Sequence, residues 1–134
     1  MAKINAYLTF NGNCRQAMTF YQECLGGELT LQTLGDAEED IPVELRQVIL
    51  HAVLVADSLV LMGSDMVGEK GLQRGNAVSL CLNCTSEEEI RRLYYRLSEG
   101  GQATDPLEDT FWGDLFGGLT DQFGNHWILN YNRS

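Results

Sequence analysis

Residues 86–101 have the sequence SEEEIRRLYYRLSEGG, which predicts an amphipathic helix together with both of its ends. Ser86 and Glu89 are spaced as a capping box, and the glutamates after Ser86 suit the positive end of a helix dipole. Gly100 and Gly101 supply the stop, after an apolar stripe at helical spacing formed by Ile90, Leu93, Tyr94 and Leu97. Because residues 77–82 alternate in polarity, we predict a strand that leads into this helix.

The same order of features occurs earlier in the chain and indicates an internal repeat. Residues 4–10 alternate like a strand, and residues 13–27, NCRQAMTFYQECLGG, begin with Asn13 as a candidate N-cap. The predicted apolar stripe of this helix is Cys14, Ala17, Met18, Tyr21, Cys24 and Leu25. Both pairs of landmarks recur at an offset of 74: Phe20-Tyr21 as Tyr94-Tyr95, and Gly26-Gly27 as Gly100-Gly101.

Three further strands are predicted after each helix, which gives an α+β chain made of two βαβββ modules. The predicted strands are residues 29–34, 48–55 and 59–63 in the first module, and 102–107, 114–120 and 126–131 in the second. We expect a single domain over residues 1–134, with module one at 1–64, a linker at 65–76 and module two at 77–134. The glycine-rich stretch 62–76 is a candidate lid, and the acidic residues 35–40 are expected to form a solvated loop.

Length and charge exclude several classes of function. With 134 residues, of which 44% are hydrophobic, the chain can bury a core without disulfides or a structural metal. Nineteen acidic residues against nine basic ones give a formal charge of -10, which argues against nucleic acid and anionic membranes as partners. No apolar run approaches the roughly 20 residues of a membrane span, and the N-terminal strand lacks the pattern of a secretion signal. We therefore expect a cytoplasmic protein.

The four cysteines are expected to be reduced structural thiols. Cys81 and Cys84 form a CxxC, but residues three apart on a strand point to opposite faces, which makes joint ligation of zinc awkward. No second CxxC or closely spaced pair of histidines completes such a site, and Cys14 and Cys24 lie in the first predicted helix. Reduced, half-buried thiols are common in cytosolic proteins.

Motifs spread over nearly the whole chain resemble the PhnB-like branch of the vicinal-oxygen-chelate superfamily, which includes glyoxalase I, extradiol dioxygenases and bleomycin-binding proteins. The motifs in order are Asn11-Gly12-Asn13-Cys14, Ala17, Phe20-Tyr21, Gly26-Gly27, Pro42, His51-Ala52, Asp57-Ser58, Met62-Gly63-Ser64-Asp65, Thr110-Phe111-Trp112-Gly113, Phe116-Gly117, Thr120-Asp121, Phe123-Gly124 and Trp127. The resemblance implies a glyoxalase-like fold in which each module's sheet curls into a trough and the two troughs form one cavity. It also implies that the protein is a homodimer.

The resemblance also implies where a metal would bind, because superfamily ligands come from the first and fourth strands of each module. Aligned on the repeat landmarks, the first-strand positions fall on Ala6 and Ser79. Aligned on Asp57-Ser58 and on residues 121–125, the fourth-strand positions fall on Leu61 and Ile128. A methyl group, two alkyl side chains and a neutral hydroxyl do not hold a divalent cation, which prefers imidazole and carboxylate. We therefore expect no metal and no cofactor at these positions.

Strand parity then predicts which side chains line the trough. The predicted lining is Ala6, Leu8, Phe10, Leu59, Leu61, Gly63, Ser79, Cys81, Asn83, His126, Ile128 and Asn130, with Leu80, Leu82, Trp127 and Leu129 behind the sheet. The candidate ligand-binding residues are His51, Trp112, His126, Asn130, Ser79, Asn83, Phe10 and Leu61. His126 is either a general base or hydrogen-bonding partner of a ligand, or a strand-end histidine half in solvent. His51 is either a ligand-binding residue or a histidine of the core or pocket rim. Trp112 is either an aromatic wall for a planar ligand or a residue that packs at a pocket rim or dimer contact.

Two functions are consistent with these residues. The first is a metal-independent small-molecule binder of the bleomycin-resistance type, for which an acidic surface would favour cationic compounds. The alternative is an enzyme that uses His51 or His126 as a base, or displaced metal ligands such as these histidines with Cys81 or Asp65. Methyl transfer is disfavoured, because a nucleotide site usually has a glycine-rich turn opening a helix, and here the glycine pairs end helices. Asp121, Gly124 and Asn125 are expected to form a structural turn.

Overall fold

The computed structural model describes residues 1–133. They form two compact units, Met1–Gln73 and a second unit that begins at Arg74, so the division lies inside the predicted linker. We call these units module one and module two. Within residues 1–133 no helix is long and apolar enough to cross a membrane.

Module one is a four-stranded sheet covered on one face by a helix. Its elements in chain order are β1 (Ala6–Thr9), α1 (Cys14–Leu25), β2 (Glu28–Thr33), α2 (Leu34–Ala37), a short 3-10 helix (Val43–Leu45), β3 (Ile49–Ala56) and β4 (Leu59–Ser64). The strand order is β1-β4-β3-β2, with β1 parallel to β4 and the other pairs antiparallel. Residues 35–40, predicted as loop, include most of α2, which begins at a capping box between Thr33 and Asp36.

Module two repeats this arrangement. Its elements are β5 (Leu80–Cys84), α3 (Glu87–Ser98), β6 (Gln102–Asp109), β7 (Asp114–Thr120) and β8 (His126–Asn132). The strand order is β5-β8-β7-β6, with β5 parallel to β8. The prediction of two βαβββ modules is confirmed, although β5 begins three residues later than predicted and residues 77–79 precede it as exposed chain.

Each sheet has one face under its helix and one face that no helix of its module covers, which we call the helix-free face. In module one, a Cβ on Gly63 would lie 3.2 to 3.3 Å from Met18 and Cys14 of α1, so Gly63 faces the helix. In module two, a Cβ on Gly117 would meet Tyr94 of α3 at 3.1 Å. Because residues paired across a sheet share a face, these two glycines fix the orientation of every strand.

The two helices correspond at an offset of 73, because α1 and α3 each have 12 residues and begin at Cys14 and Glu87. Tyr21 therefore corresponds to Tyr94; both are buried, whereas Tyr95 is 78% exposed. The predicted superposition of Phe20-Tyr21 on Tyr94-Tyr95 is wrong by one residue. The glycine pairs still stand 74 apart, since Glu99 adds one residue between α3 and its glycines.

Gly27 and Gly101 allow the helix-to-strand connection to touch the sheet. A Cβ on Gly27 would lie 2.3 Å from the Val55 carbonyl oxygen, and a Cβ on Gly101 would lie 2.2 Å from the Thr120 carbonyl oxygen. A side chain at either position would overlap backbone atoms that have no room to move. The second glycine of each pair thus permits close packing in addition to ending the helix.

The helix starts differ from the predicted caps. Asn13 occupies the N-cap position of α1, but its side chain makes no capping hydrogen bond. Instead Asp65 Oδ1 accepts hydrogen bonds from the backbone N–H of Gly12 and Cys14 at 3.0 and 2.9 Å. At α3 the Ser86 hydroxyl accepts from Glu89 N–H at 3.1 Å, as predicted, but the Glu89 carboxylate accepts from Thr85 N–H and not from Ser86.

Candidate functional site

Three of the eight predicted site residues, Asn83, His126 and Asn130, lie on the helix-free face of module two. Strand pairing places Cys81, Ile128, Gly118 and Asp105 in one row across the sheet, and Asn83, Asn130, Phe116 and Glu108 in the next. The parity predicted for β5 and β8 is therefore correct, with Trp127 and Leu129 buried on the helix side. Ser79 is exposed and lies just before β5. The second row combines two amides, an aromatic ring and a carboxylate.

The imidazole of His126 is bonded at both nitrogens. Nδ1 lies 2.9 Å from the Thr120 hydroxyl oxygen, and Nε2 lies 3.1 Å from the Gly75 carbonyl oxygen. A neutral ring with its proton on Nε2 satisfies both contacts, donating to Gly75 and accepting from Thr120. Arg74 donates to the Asn125 side-chain oxygen at 2.8 Å next to this contact. His126 thus holds the start of module two against the β7–β8 turn, and its basic Nδ1 would have to release the Thr120 hydroxyl to act as a base on a ligand.

The turn before β8 is structural, as predicted. The buried Asp121 carboxylate accepts from the backbone N–H of Phe123 and Asn125 at 2.9 and 3.0 Å. Its other oxygen accepts from Trp127 Nε1 at 2.8 Å. Gly124 has a positive φ of 91°, which glycine adopts without strain.

Two carboxylates on this face were not predicted, because bulges in β6 disturb the alternation of residues 102–107. Register shifts fall between Gln102 and Asp105 and between Asp105 and Glu108, so residues three apart point the same way. Gly118 leaves room for the Asp105 carboxylate, whose Oδ2 lies 3.0 Å from the place of a Cβ on Gly118. A sequence pattern read at period two cannot locate such residues.

Trp112 lies at the tip of the β6–β7 hairpin, next to Phe111. The two rings meet edge to face with centroids 4.9 Å apart. Phe111 is 97% exposed and Trp112 is 58% exposed. Trp112 is thus partly exposed at the hairpin tip, and its role as a stacking wall for a ligand stays a prediction.

In module one the predicted lining of the trough is wrong. Ala6 pairs with Leu61, which pairs with Leu54, and this row lies beneath α1. Phe10 and Leu61, both proposed to contact ligand, are 0% and 4% exposed core residues. Leu8, Leu59 and Gly63 share their side of the sheet. The error arose because Ala6 was aligned with Ser79, one residue out of step, and a one-residue slip moves every side chain of a strand to the other face.

The corrected parity puts Tyr7 and His51 on the helix-free face of module one. The Tyr7 hydroxyl lies 3.3 Å from His51 Nδ1, and the two rings stack with centroids 5.7 Å apart and an interplanar angle of 27°. Gln32 pairs with His51 across the sheet, and Met62 pairs with Tyr7. Tyr7 was not among the predicted site residues. Its spacing of two residues from the polar Thr9 on the same strand could have indicated that both lie on the face away from the helix. The half-buried His51 is a member of a polar pair on this face and not a core residue.

The residues present do not fit the metal of the superfamily. With correct parity, the facing pairs on the first and fourth strands are Tyr7 with Met62 and Cys81 with Ile128, followed by Asn83 with Asn130. None of these pairs contains a carboxylate or an imidazole. Within neither module do three or more His, Cys, Asp or Glu side chains among residues 1–133 come together as metal ligands would. The Ala6 and Leu61 positions proposed from sequence are not on the relevant face at all.

Asp65 is unsuited to the displaced metal site that the sequence allowed. Its Oδ1 accepts from Gly12 and Cys14, and its Oδ2 accepts from Ile49 N–H at 3.0 Å. A carboxylate with three backbone donors is already occupied in joining the start of α1 to β3. Asp65 is therefore a structural residue.

The cysteines are free thiols, and Cys81 and Cys84 point to opposite faces of β5 as predicted. Cys81 is exposed on the helix-free face, and Cys84 is buried. Burial raises the pKa of Cys84 to about 11 and that of Cys14 to about 12, and the neighbouring Asp65 charge adds to the effect on Cys14. Neither buried thiol is a nucleophile near neutral pH.

The sequence and the fold both match known proteins. A family model described as 3-demethylubiquinone-9 3-methyltransferase matches residues 2–130. Protein YjdN of Escherichia coli is 32% identical, over 95% of this chain and 93% of its own. The crystal structure of PA1353 from Pseudomonas aeruginosa is 39% identical, covers 98% of each chain and has a TM-score of 0.87.

Two further structures connect the chain to a wider group. A Bacillus cereus structure described as a putative 3-demethylubiquinone-9 3-methyltransferase, PhnB protein, is 25% identical over 97% of this chain and 99% of its own, with a TM-score of 0.76. A member of the glyoxalase/bleomycin resistance protein/dioxygenase superfamily from Sphaerobacter thermophilus has the same fold, with 20% identity over 98% of each chain and a TM-score of 0.63. The chain therefore belongs to the PhnB-like family described as 3-demethylubiquinone-9 3-methyltransferase, and it has the fold of the glyoxalase/bleomycin resistance protein/dioxygenase structures.

Proposed function

We propose that the protein binds a small organic molecule without a metal ion, and that the helix-free face of module two supplies most of the contacts. The observation that carries the proposal is the row Asn83, Asn130, Phe116 and Glu108. Amides donate and accept hydrogen bonds, an aromatic ring offers a stacking face, and a carboxylate selects charge. This mixture of a few polar groups around an apolar surface is typical of small-molecule sites.

The ligand class follows from charge. The chain carries a formal charge of -10, and Asp105 and Glu108 bring two carboxylates to the face in question. An acidic surface raises the local concentration of cations and repels anions. We infer that the preferred ligand is a cationic organic compound with a flat ring, held in the sequestering manner associated with bleomycin-resistance proteins.

The first experiment compares aromatic compounds that share one ring system and carry a positive, zero or negative charge. Thermal shift and titration calorimetry at about 20 mM and about 150 mM salt should show binding of the cationic compound, weakened by the higher salt through screening. Glu108→Gln should weaken binding more than Glu38→Gln, which removes the same charge from an exposed residue of module one. If the two variants weakened binding equally, binding would depend only on the net charge of the protein, and the ligand would not bind on the helix-free face of module two.

The second experiment locates the contact residues. Asn130→Ala should weaken binding through the lost amide, and Trp112→Ala should do so if the hairpin tip stacks on the ligand. His126→Ala should act indirectly, because it frees the Gly75 carbonyl. Elemental analysis of the purified protein accompanies these titrations. A stoichiometric amount of zinc, nickel, manganese or iron would overturn the metal-independent part of the proposal.

One observation favours a second candidate, a metal-free enzyme that uses acid–base chemistry. The Tyr7 hydroxyl and His51 Nδ1 are 3.3 Å apart, a separation at which a phenol and an imidazole can exchange a proton with each other or relay one to a ligand. In that case Tyr7→Phe and His51→Gln would abolish turnover of a bound compound while leaving its affinity within about threefold of wild type. If the wild-type protein bound the compound without converting it, the enzyme candidate would be refuted and the sequestering function would be retained.

Methyl transfer, although part of the family's description, is not proposed for this chain. The glycine pairs follow α1 and α3, and no glycine-rich run opens either helix. A cytoplasmic location belongs to the proposal, since free thiols such as the four cysteines of this chain persist in a reducing compartment. Cell fractionation with a tagged full-length chain tests it.

A further inference from the structure

A row of three polar side chains crosses the helix-free face of module two at the end of the sheet where β8 begins. His126 of β8 pairs with Thr120 of β7, and Thr120 pairs with Gln102 of β6. Side chains of residues paired across a sheet point to the same face, with their Cβ atoms about 4.5–5.5 Å apart. The Thr120 hydroxyl therefore has an imidazole on one side and a carboxamide on the other.

The hydrogen bonds of His126 determine which of its ring nitrogens is basic. Nε2 lies 3.1 Å from the Gly75 carbonyl oxygen, and a carbonyl oxygen accepts hydrogen bonds but donates none. The proton of the neutral ring is therefore on Nε2, and Nδ1 carries a lone pair. Because Nδ1 lies 2.9 Å from the Thr120 hydroxyl oxygen, the hydrogen bond between them uses the hydroxyl proton, which Thr120 donates to Nδ1.

This geometry is the one in which a side-chain hydroxyl becomes a nucleophile. A nucleophilic Ser or Thr is activated by a base within hydrogen-bond reach, and a third group holds that base in the correct orientation. Here the Thr120 hydroxyl is next to the imidazole of His126, and the Gly75 carbonyl positions the imidazole. Thr120 and His126 are both half-buried, so a small molecule on the helix-free face can reach the Thr120 oxygen.

Gln102 supplies a donor for the negative charge that acyl transfer creates. Its side chain is exposed and lies on the other side of Thr120 from the imidazole. A side-chain amide N–H beside the attacked carbonyl stabilises the oxyanion of the tetrahedral intermediate. That help matters in a chain whose formal charge of -10 disfavours an additional negative charge. Because a single exposed amide stabilises an oxyanion only weakly, the arrangement suits substrates that have a good leaving group.

We propose that Thr120 is a nucleophile for acyl transfer, with His126 as its base, and that the substrates are activated carboxylic esters. Thr120 Oγ1 attacks the carbonyl carbon while its proton moves to Nδ1 of His126. The bond between this carbon and the leaving oxygen breaks, and Nδ1 returns the proton to the leaving alcohol. Water, deprotonated by Nδ1, then attacks the acyl ester on Thr120, which releases a carboxylic acid and restores the hydroxyl. This activity goes beyond the proposed binding of a cation and does not depend on it.

The test uses the full-length chain and para-nitrophenyl acetate, an uncharged activated ester. Peptide mapping by mass spectrometry after brief exposure at pH 8 locates the acetyl groups, which distinguishes Thr120 from the exposed Cys81 and from lysines. Wild type should carry an acetyl group on Thr120, and Thr120→Ser should be acetylated at the same position. His126→Gln should slow this acetylation at least about 100-fold, as loss of a general base does. Gln102→Ala should slow it at least about tenfold, through the lost oxyanion donor.

Thr104→Val is the matched control, because it removes an exposed threonine hydroxyl from β6 of the same module. Acetylation of Thr120 in this variant should equal that of wild type. Circular dichroism and melting curves verify that all variants are folded. Loss of Thr120 acetylation in the control would overturn the proposal, since the reaction would then depend on the β6 surface and not on the Thr120–His126 pair.

The tautomer of His126 gives a second measurement, which needs no substrate. Nitrogen NMR of isotope-labelled protein at pH 8 should show the ring proton of His126 on Nε2, both in wild type and in Thr120→Val, because the Gly75 carbonyl fixes it. A proton on Nδ1 would overturn the proposal, since that nitrogen could not accept the hydroxyl proton. An unmodified Thr120 in wild type, or equal acetylation of Thr120 in wild type and His126→Gln, would overturn it as well.

Discussion

The carboxylate of Asp65 joins three places that are distant in sequence. It accepts backbone N–H groups from Gly12, Cys14 and Ile49, and so it serves as the cap of α1 in place of Asn13. Sequence patterns find caps by looking one to three residues ahead of a helix. Asp65 follows β4 and lies about 50 residues after the start of α1 in the sequence, so such a search does not find it as a cap. Sequence analysis therefore considered Asp65 only as a possible metal ligand.

Replacing Asp65 by Asn should therefore destabilise the fold. An amide keeps one acceptor oxygen but presents N–H groups to a backbone donor, so at least one buried donor loses its partner. We expect the free energy of unfolding to fall by about 1–3 kcal/mol. Urea denaturation measures it, with the exposed Asp40→Asn as the control that should remain within about 0.5 kcal/mol of wild type. A loss no larger than that of the control would contradict the capping role.

Thiol reactivity should separate Cys81 from the buried cysteines. The pKa values of about 12 for Cys14 and about 11 for Cys84 keep both protonated at pH 8, and burial also blocks access. A disulfide reagent at pH 8 should label one thiol per folded chain quickly and all four after denaturation. Cys81→Ser should remove the fast phase. Fast labelling of more than one thiol in the folded protein would be incompatible with this burial.

At the scale of elements, periodicity located every strand of the two sheets and both long helices. It failed where the chain departs from strict repetition. Aligning Ala6 with Ser79 put β1 out of step, and Leu61, placed through Asp57-Ser58, was put on the same face, so that Phe10 and Leu61 were both assigned to the wrong face. Likewise the bulges of β6 hid Asp105 and Glu108. In contrast β5 and β8 pair without bulges, and their faces were predicted correctly.

The contact between the helix-to-strand connection and the sheet makes Gly101 a sensitive position. Its φ is not in the left-handed region, so the effect of a methyl group there is steric and comes from the Thr120 carbonyl at 2.2 Å. Gly101→Ala should lower stability by about 1–3 kcal/mol, as overpacking does. Gly68→Ala serves as the control, since nothing lies within 4 Å of its Cβ position. Thermal and urea denaturation should show that Gly101→Ala is clearly less stable than Gly68→Ala. Similar stabilities would mean that the backbone around Gly101 moves easily to accommodate a methyl group.

Glu87 connects the start of α3 to the end of β8. Its carboxylate binds Arg133 and Arg91, and the hydrogen bond from Arg133, followed by that from Arg91, lowers the pKa of Glu87. A lowered pKa in the folded state means that the interaction stabilises the fold above the unfolded pKa of about 4.3 and is lost as the pH falls through the folded value. Glu87→Gln should thus be less stable than wild type at pH 7 and equal to it at pH 2.5. Glu88→Gln should show no such convergence; a pH-independent gap for Glu87→Gln would refute the ion pair.

Considered as a whole, the molecule is dominated by its negative charge. Formal charges of one sign on a small surface repel one another and lower the stability of the compact state. Three exposed ion pairs, which Arg91 and Arg133 form with Glu87 and Asp109, lie in module two and offset only part of this repulsion. The acidity was evident from composition, whereas the positions of the pairs depended on the fold.

Salt should therefore stabilise the protein. We expect the melting temperature to rise between about 10 and 200 mM NaCl, because screening weakens repulsion among the 19 acidic residues more than it weakens three exposed pairs. A variant with Glu38→Gln, Glu39→Gln and Asp40→Asn removes three charges from the acidic segment after α2 and should show a smaller rise. A melting temperature that falls with salt would indicate that the ion pairs outweigh the repulsion.

The bulges of strand β6 also affect how readily the protein aggregates at high concentration. As the last strand in the order β5-β8-β7-β6, it offers a free edge to which another chain's strand could add. Pro106 lacks an N–H group, and the two bulges break the row of amides into short, misaligned pieces. An incoming strand would find too few consecutive donors and acceptors to continue the sheet. The irregularity of β6 that strand periodicity does not predict thus also makes this edge a poor template for amyloid growth.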